Sequence, residues 1–281
     1  MLCVTEIASL DLPGLAPYRT LRRWVEHERL GIFVAEGGSV VERLLESELE
    51  VVSALLEPRW LEALGPRLEA RREEIRVYLG DEAQLSGIVG FPLHQGVMAV
   101  ARIPPPRPLA ETLAASVQPR LLVALDRVAN AENLGVIARN CAAFGAAALV
   151  VGETSSSPWL RRAVRVSMGT VFRLRIHFTE SLVALLADLR GQGFLTVAAA
   201  SDGDVVHAVD LTGDCCVVLG NEDQGVRPEV RAACHRVVAI PMLGGVDSLN
   251  VSSALAVLLY EARRQQAPPP GGAGAAQTLV R

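Results

Sequence analysis

From residue 121 to residue 264 short apolar runs alternate with helical stretches, and no other feature restricts the fold as strongly. Leu121 to Leu125, Ala147 to Val151, Leu195 to Ala199, Cys215 to Leu219 and Val237 to Ile240 are almost unbroken apolar runs of strand length. A strand with one wet face alternates apolar and polar residues, whereas an unbroken run belongs to a strand covered on both faces. Val171 to Ile176 reads as a further strand. Helices are expected at Asn133 to Phe144, stopped by Gly145, at Leu160 to Val166, at Ser181 to Leu189, and from about Leu249 to Arg264. The pattern predicts an α/β fold, a mostly parallel sheet with helices on both faces.

Pro104-Pro105-Pro106-Arg107-Pro108 can extend neither a helix nor a central strand and stiffens the chain. We place a domain over residues 1–103, a linker over 104–117, a second domain over 118–265 and a disordered tail over 266–281, where Pro268-Pro269-Pro270-Gly271-Gly272 stands. Upstream of the prolines, helices are expected at Leu15 to Arg29, Ser39 to Glu46 and Pro58 to Glu73. Strands are expected at Gly31 to Ala35, Val51 to Leu56, Ile75 to Leu79 and Val97 to Ala101. This predicts a smaller α/β domain.

The 281 residues contain no apolar run of the roughly 18 residues that a membrane span needs. The first residues show no basic segment leading into an apolar one. Five cysteines without a C-x-x-C pair suit a reduced, cytoplasmic setting better than a disulfide framework or a zinc site. All 27 basic residues other than histidine are arginine, the side chain that grips phosphate in a bidentate fashion. The net charge of −4 excludes an indiscriminate nucleic-acid binder. It is unevenly spread: residues 1–105 hold 11 arginines against 16 acids, and residues 106–281 hold 16 against 15. Arg161, Arg162 and Arg165 begin a stretch without any acid between Thr154 and Thr179, a candidate positive patch for nucleic acid.

In open α/β sheets ligands bind beyond the carboxyl ends of strands. Three loops qualify: Ala129 to Asn133, Gly220 to Gly225, and Met242 to Asp247. None carries a dinucleotide or nucleoside-triphosphate glycine cradle. Taken singly, their polar residues have simple structural readings. Ser248 could N-cap the last helix with Asn250 beside it, Asn133 could cap its own helix, Glu222 could close its loop, and Arg139 could be solvated.

Taken together they match a family. Asn133-Leu134-Gly135, Arg139 and Phe144-Gly145 form a first motif. Gly220, Glu222 and Gly225 form a Gly-x-Glu-x-x-Gly second motif. Ile240-Pro241-Met242, a glycine-bearing loop and Ser248-Leu249-Asn250-Val251 form a third. With Ser167-Met168-Gly169-Thr170-Val171-Phe172 between them, residues 118–265 resemble the SpoU/TrmH family of RNA ribose 2'-O-methyltransferases. One departure is Ala131-Glu132, where the family carries a proline just before the asparagine. More faintly, Phe33-Val34-Ala35-Glu36-Gly37 and His94-Gln95-Gly96-Val97 resemble the L30e-like substrate-binding domain often fused to such enzymes.

The resemblance implies a trefoil knot in the C-terminal domain, S-adenosyl-L-methionine as methyl donor, and a homodimer formed through the knotted domain. It implies a ribose 2'-hydroxyl of RNA as acceptor, ribosomal RNA ahead of transfer RNA, with no metal and no membrane. The alternative from another class is a non-catalytic RNA-binding protein that kept the knot. Gly220, Ile240, Met242 and Leu249 are then expected at the donor. Arg139, Asn133, Glu222, Ser248 and Asn250 are expected at the chemistry, and Arg161, Arg162 and Arg165 at the RNA. The family's arginine has been cast as the base. Stripping a proton from an arginine at neutral pH costs about 7.5–9 kcal/mol, which favours a phosphate clamp that orients the hydroxyl. Asn133 and Asn250 would hold ribose and loops, Glu222 would fix the second loop, and Ser248 could accept or relay the proton.

Overall fold

The computed structural model describes residues 2–245 and 247–267. Gln266, expected in the disordered tail, instead ends the last helix and donates to the Leu211 and Gly213 carbonyls, and the rest of that expected tail, beyond Ala267, lies outside the described residues.

The N-terminal sheet holds β1 (Leu2–Glu6), β2 (Ile32–Glu36), β3 (Val51–Leu56), β4 (Ile75–Leu79) and β5 (Val97–Arg102), ordered β1-β4-β3-β5-β2. β1, β4 and β3 run parallel, and β5 is antiparallel to both β3 and β2. Five helices accompany it: α1 (Ala16–Arg19), α2 (Trp24–Arg29), α3 (Gly38–Leu45), α4 (Pro58–Glu69) and α5 (Glu82–Val89). The single helix expected over 15–29 is broken in two. The Thr20 hydroxyl donates to the Ala16 carbonyl at 3.0 Å and meets His27 Nε2 at 3.0 Å, so a side chain takes the place of the next helical turn.

The prolines lead into α6 (Leu109–Ala114) and then a six-stranded sheet: β6 (Leu121–Leu125), β7 (Ala148–Val151), β8 (Ile176–Phe178), β9 (Leu195–Val205), β10 (Cys215–Leu219) and β11 (Arg236–Ala239). Its order is β11-β9-β10-β6-β7-β8, and every pairing is parallel. Between the strands lie α7 (Ala131–Ala143), α8 (Arg161–Val166), α9 (Leu182–Gly191) and α10 (Pro228–Ala233), and α11 (Val251–Gln266) follows β11.

Every residue of β6, β7 and β10 is buried, as the unbroken apolar runs require. The period of two divides them between the faces. Leu121, Val123 and Leu125 pack with Leu134 and Ile137 of α7 and Leu255, Leu258 and Leu259 of α11. Leu122 and Ala124 pack with Leu182, Leu186 and Leu189 of α9 and Val230 of α10. Burial lifts the Cys215 thiol to about 12, so it serves as packing.

The strand expected over 171–176 is absent. Gly169 turns the chain with φ 77°, Thr170–Arg173 form a short 3-10 turn, and the strand starts only at Ile176. Val171 and Phe172 serve the contact between the two halves instead. Phe172 and Trp159 lie with ring centroids 5.5 and 4.9 Å from that of Phe33 on β2. Arg165 of α8 reaches Glu36 at 3.0 Å, Arg161 bonds the same carboxylate, and Arg43 donates to the Met168 carbonyl.

Candidate functional site

The chain builds β6, β7 and β8 outward in one direction, then crosses to β9 and returns through β10. Neighbouring β6 and β10 thus mark where the order reverses, the place at which such sheets open a crevice. A cavity of about 500 Å³ opens next to this point, against β9, β10, β11 and the start of α11, within the range of small-molecule sites. Its apolar walls are Leu219, Val238, Ile240, Met242, Leu249 and Leu258, and its polar rim is the loop from Gly220 to Gly225 with Ser248 and Asn250.

The rim loop is a closed turn. Asn221 and Gly225 exchange backbone hydrogen bonds of 3.0 and 2.9 Å, and Asn221 Oδ1 accepts from the Asp223 and Gln224 amides at 3.0 and 3.1 Å. Gly220 is dictated by that closure, because a Cβ there would stand 2.1 Å from the Gly225 carbonyl carbon and from the Val226 nitrogen.

A one-way hydrogen-bond chain joins this rim to two helices. Asn250 caps α11, its Oδ1 accepting from the Ser252 amide at 2.9 Å and the Ser252 hydroxyl at 2.6 Å. Its Nδ2 donates to Asn133 Oδ1 at 3.0 Å, and Asn133 Nδ2 donates to Glu222 Oε1 at 2.7 Å. Each amide accepts on oxygen and donates on nitrogen, and the chain ends on a carboxylate, the one partner that needs only donors.

Seven of the nine residues expected at the donor and the chemistry therefore share one cavity: Gly220, Glu222, Ile240, Met242, Ser248, Leu249 and Asn250. Asn133 is buried just behind it and reaches it through Glu222 and Asn250. Arg139 lies outside it, exposed on α7 and without a hydrogen bond or ion pair among the described residues. The capping reading holds for Asn250, which caps α11, and is corrected for the other two: among the described residues Ser248 caps nothing, since α11 starts at Val251, and α7 is capped by Asn130, which accepts from the Glu132 and Asn133 amides. The candidate positive patch is partly spent. Arg161 and Arg165 face Glu36 of the N-terminal half, and Arg162 faces Glu132 at 2.6 Å while staying widely exposed. An acid distant in sequence supplies what the local stretch lacks.

Sequence reasoning missed a clamp beneath the rim. Asp126, fully buried after β6, accepts from the Arg227 amide at 2.7 Å and Arg227 Nε at 2.6 Å. Arg227 Nη2 in turn reaches Glu153 at 2.6 Å, and the other Glu153 oxygen accepts from the Leu182 amide at 3.0 Å. The available signal was an acid closing an apolar strand and an arginine just beyond the glycine motif. Partial burial pushes the Glu153 carboxyl up, but Arg227 and the backbone amides outweigh it and hold the group below the usual carboxylate range. A carboxyl lowered on folding adds stability that is complete above its unfolded value of about 4.3 and is lost as pH falls through the folded one. Glu73, opposed by its burial but bonded by Arg71 and the Val51 amide, and Glu261, brought to about 2 chiefly by Arg264, act in the same direction. The melting temperature is expected to be level from pH 7 to 5 and to fall below about 4.5. Glu153→Gln should flatten part of that fall in a pH series of thermal melts, and an unchanged acid limb would count against the clamp.

Among the described residues no group of three or more His, Cys, Asp or Glu side chains is placed to hold a metal ion. No described helix is long and apolar enough to cross a membrane.

Comparison with known proteins bears on this geometry. The model of the SpoU rRNA Methylase family matches residues 120–260. A 23S rRNA (guanosine-2'-O-)-methyltransferase of Acinetobacter baylyi is 34% identical over 236 residues, covering 80% of this chain and 94% of that protein. One from Nitrosomonas europaea is 34% identical over 198 residues, covering 70% of this chain and 76% of its own. Among solved structures, an AdoMet-bound rRNA methyltransferase from Sinorhizobium meliloti superposes with a TM-score of 0.79 at 26% identity, covering 94% of this chain and 99% of that one. The SpoU methyltransferase AviRb from Streptomyces viridochromogenes, in complex with AdoMet, gives 0.77 at 26% identity over 91% and 99%.

Proposed function

This chain belongs to the SpoU rRNA methylase family, and on that footing we infer that it methylates ribose 2'-hydroxyls of ribosomal RNA with S-adenosylmethionine. The C-terminal half has the family's trefoil-knot fold. One observation carries the functional reading: two loops and the start of α11 enclose a single cavity that is wired to α7 through Asn250, Asn133 and Glu222. Relatives acting on a 23S rRNA guanosine make large-subunit RNA the first substrate to try.

The residues present suit the donor. Leu219, Val238, Ile240 and Leu258 offer flat apolar contact for an adenine, and the bare backbone at Gly220 offers its edge hydrogen-bonding groups. Glu222 puts a carboxylate on the rim where a cationic ligand gains from it. When bound, S-adenosylmethionine supplies an electrophilic methyl on a sulfonium that leaves as a neutral thioether. The ribose hydroxyl would attack that methyl as the sulfur–carbon bond breaks, and its proton would pass by way of the Ser248 hydroxyl to water. The chain's task is to hold the hydroxyl in line. Ser248, exposed on the rim, is placed to take a hydrogen bond from it.

Arg139 serves as the phosphate clamp. Because it stands outside the cavity of its own chain, we assign it to the cavity of a second copy in a homodimer. The N-terminal half, residues 1–103, holds the RNA, with 104–117 as linker and 118–265 as the transferase domain, and the enzyme works in the cytoplasm. Mixing Arg139→Ala with Gly220→Ala subunits should restore part of the activity that each lacks alone. No recovery after subunit exchange would refute the shared site.

The cavity itself is tested by calorimetric titration with S-adenosylhomocysteine. One site per chain is expected, and no heat at millimolar ligand contradicts the reading. Gly220→Ala, whose new Cβ meets backbone that cannot withdraw, should weaken that binding at least about tenfold.

A further inference from the structure

We propose that Arg127 is a positioning residue that keeps the methyl-donor loop in its binding shape, an inference that rests on the methyltransferase reading above. Arg127 follows the buried Asp126 and has φ 58°, the left-handed region in which the Cβ of an arginine is unfavourable. That backbone turns two groups of one residue toward the same loop. The Arg127 carbonyl accepts from Asn221 Nδ2 at 3.0 Å, and Arg127 Nη1 donates to Gln224 Oε1 at 2.9 Å. Asn221 and Gln224 both line the donor cavity, and Asn221 Oδ1 already binds the Gln224 amide at 3.1 Å. Arg127 thus grips both ends of the turn that closes the rim.

The guanidinium is incompletely matched. Its Nε is buried without a hydrogen-bond partner among the described residues. Arg71, Arg227 and Arg263 differ in this respect, since each donates from Nε to a carboxylate or a carbonyl. A residue with a disfavoured backbone and an unmatched donor is one that packing alone would replace with glycine. The grip on Gln224 is what offsets both. Arg127 does not line the cavity, so it acts on the donor through the loop.

Arg127→Gly is the informative variant. Glycine adopts φ 58° freely, keeps the carbonyl that Asn221 uses, and removes only the guanidinium. Its melting temperature should equal or exceed that of the wild type, so lost binding cannot be blamed on misfolding. Its Kd for S-adenosylhomocysteine should rise about fivefold, and KM for S-adenosylmethionine with it, while kcat stays within about twofold. Gln224→Ala should produce the same rise, the double variant no more than either single one, and Arg127→Lys a smaller rise. Unchanged affinity in Arg127→Gly, or losses that multiply in the double variant, would overturn the inference while wild-type binding upholds the methyltransferase reading. A wild-type chain that binds no S-adenosylhomocysteine would overturn both.

Discussion

Arg139→Ala should lower methyl transfer about 10²- to 10³-fold while leaving the melting temperature and S-adenosylhomocysteine binding where they are. The size follows from removing the proposed bidentate phosphate contact that would hold the acceptor hydroxyl in line, a loss of about 2.7–4 kcal/mol in the barrier. Its selectivity follows from placement. Arg139 is exposed and unpartnered among the described residues, and substitutions of that kind shift stability by only about 0.5 kcal/mol. Its proposed contact is with a phosphate of the RNA and not with the methyl donor, so donor binding has no reason to change. Its neighbour Asn140 donates to the Ser252 carbonyl at 2.8 Å, which keeps this turn of α7 against α11 in the variant. Arg139→Lys, which keeps the charge without the fork, should fall in between. Single-turnover kinetics with the enzyme in excess over the RNA would measure these differences, and near-normal turnover in Arg139→Ala would rule out the clamp and the base alike.

The second large effect is on stability. Asp126→Ala should cost about 3 kcal/mol, the low end of the range for breaking a buried ion pair by removing one partner. Asp126 is wholly buried, and both of its oxygens are engaged by Arg227. Without it, the Arg227 guanidinium keeps Glu153 and lies beside Glu229, which is why the low end applies. For a chain of this size the melting temperature should drop by roughly 6–12 °C. The Arg227 backbone begins just beyond the rim loop, so S-adenosylhomocysteine binding should weaken in the same variant. A melting temperature within 2 °C of the wild type would show that the clamp carries little of the fold.

How far the sequence reaches depends on where each contact partner lies. The parallel sheet is legible because β6, β7 and β10 are covered on both faces and therefore read as unbroken apolar runs. β1 is not, since Cys3 to Glu6 are exposed at the sheet edge and leave no such run. α5 is marked in the sequence only by the capping box of Asp81 and Gln84. Val171 to Ile176 misleads because its apolar residues pack across onto Phe33, a contact that no local pattern reports. Most of the cavity's polar residues are legible because they sit in two glycine-marked loops, after β10 and after β11. The wiring between them is not. Asn133 meets Glu222 and Asn250, Asp126 meets Arg227 and Arg127 meets Gln224 across most of a domain, and only the folded sheet reveals that these side chains are neighbours.

The most direct test of the central claim gives the purified enzyme unmodified ribosomal RNA and S-adenosylmethionine with an isotope-labelled methyl group, then locates the label by nuclease digestion and mass spectrometry. Label on a ribose 2'-oxygen at one or a few nucleotides, incorporated about 10²- to 10³-fold more slowly with Arg139→Ala, is the expected result. Labelled bases with unmodified riboses, or no incorporation by an enzyme that binds S-adenosylhomocysteine, would contradict it.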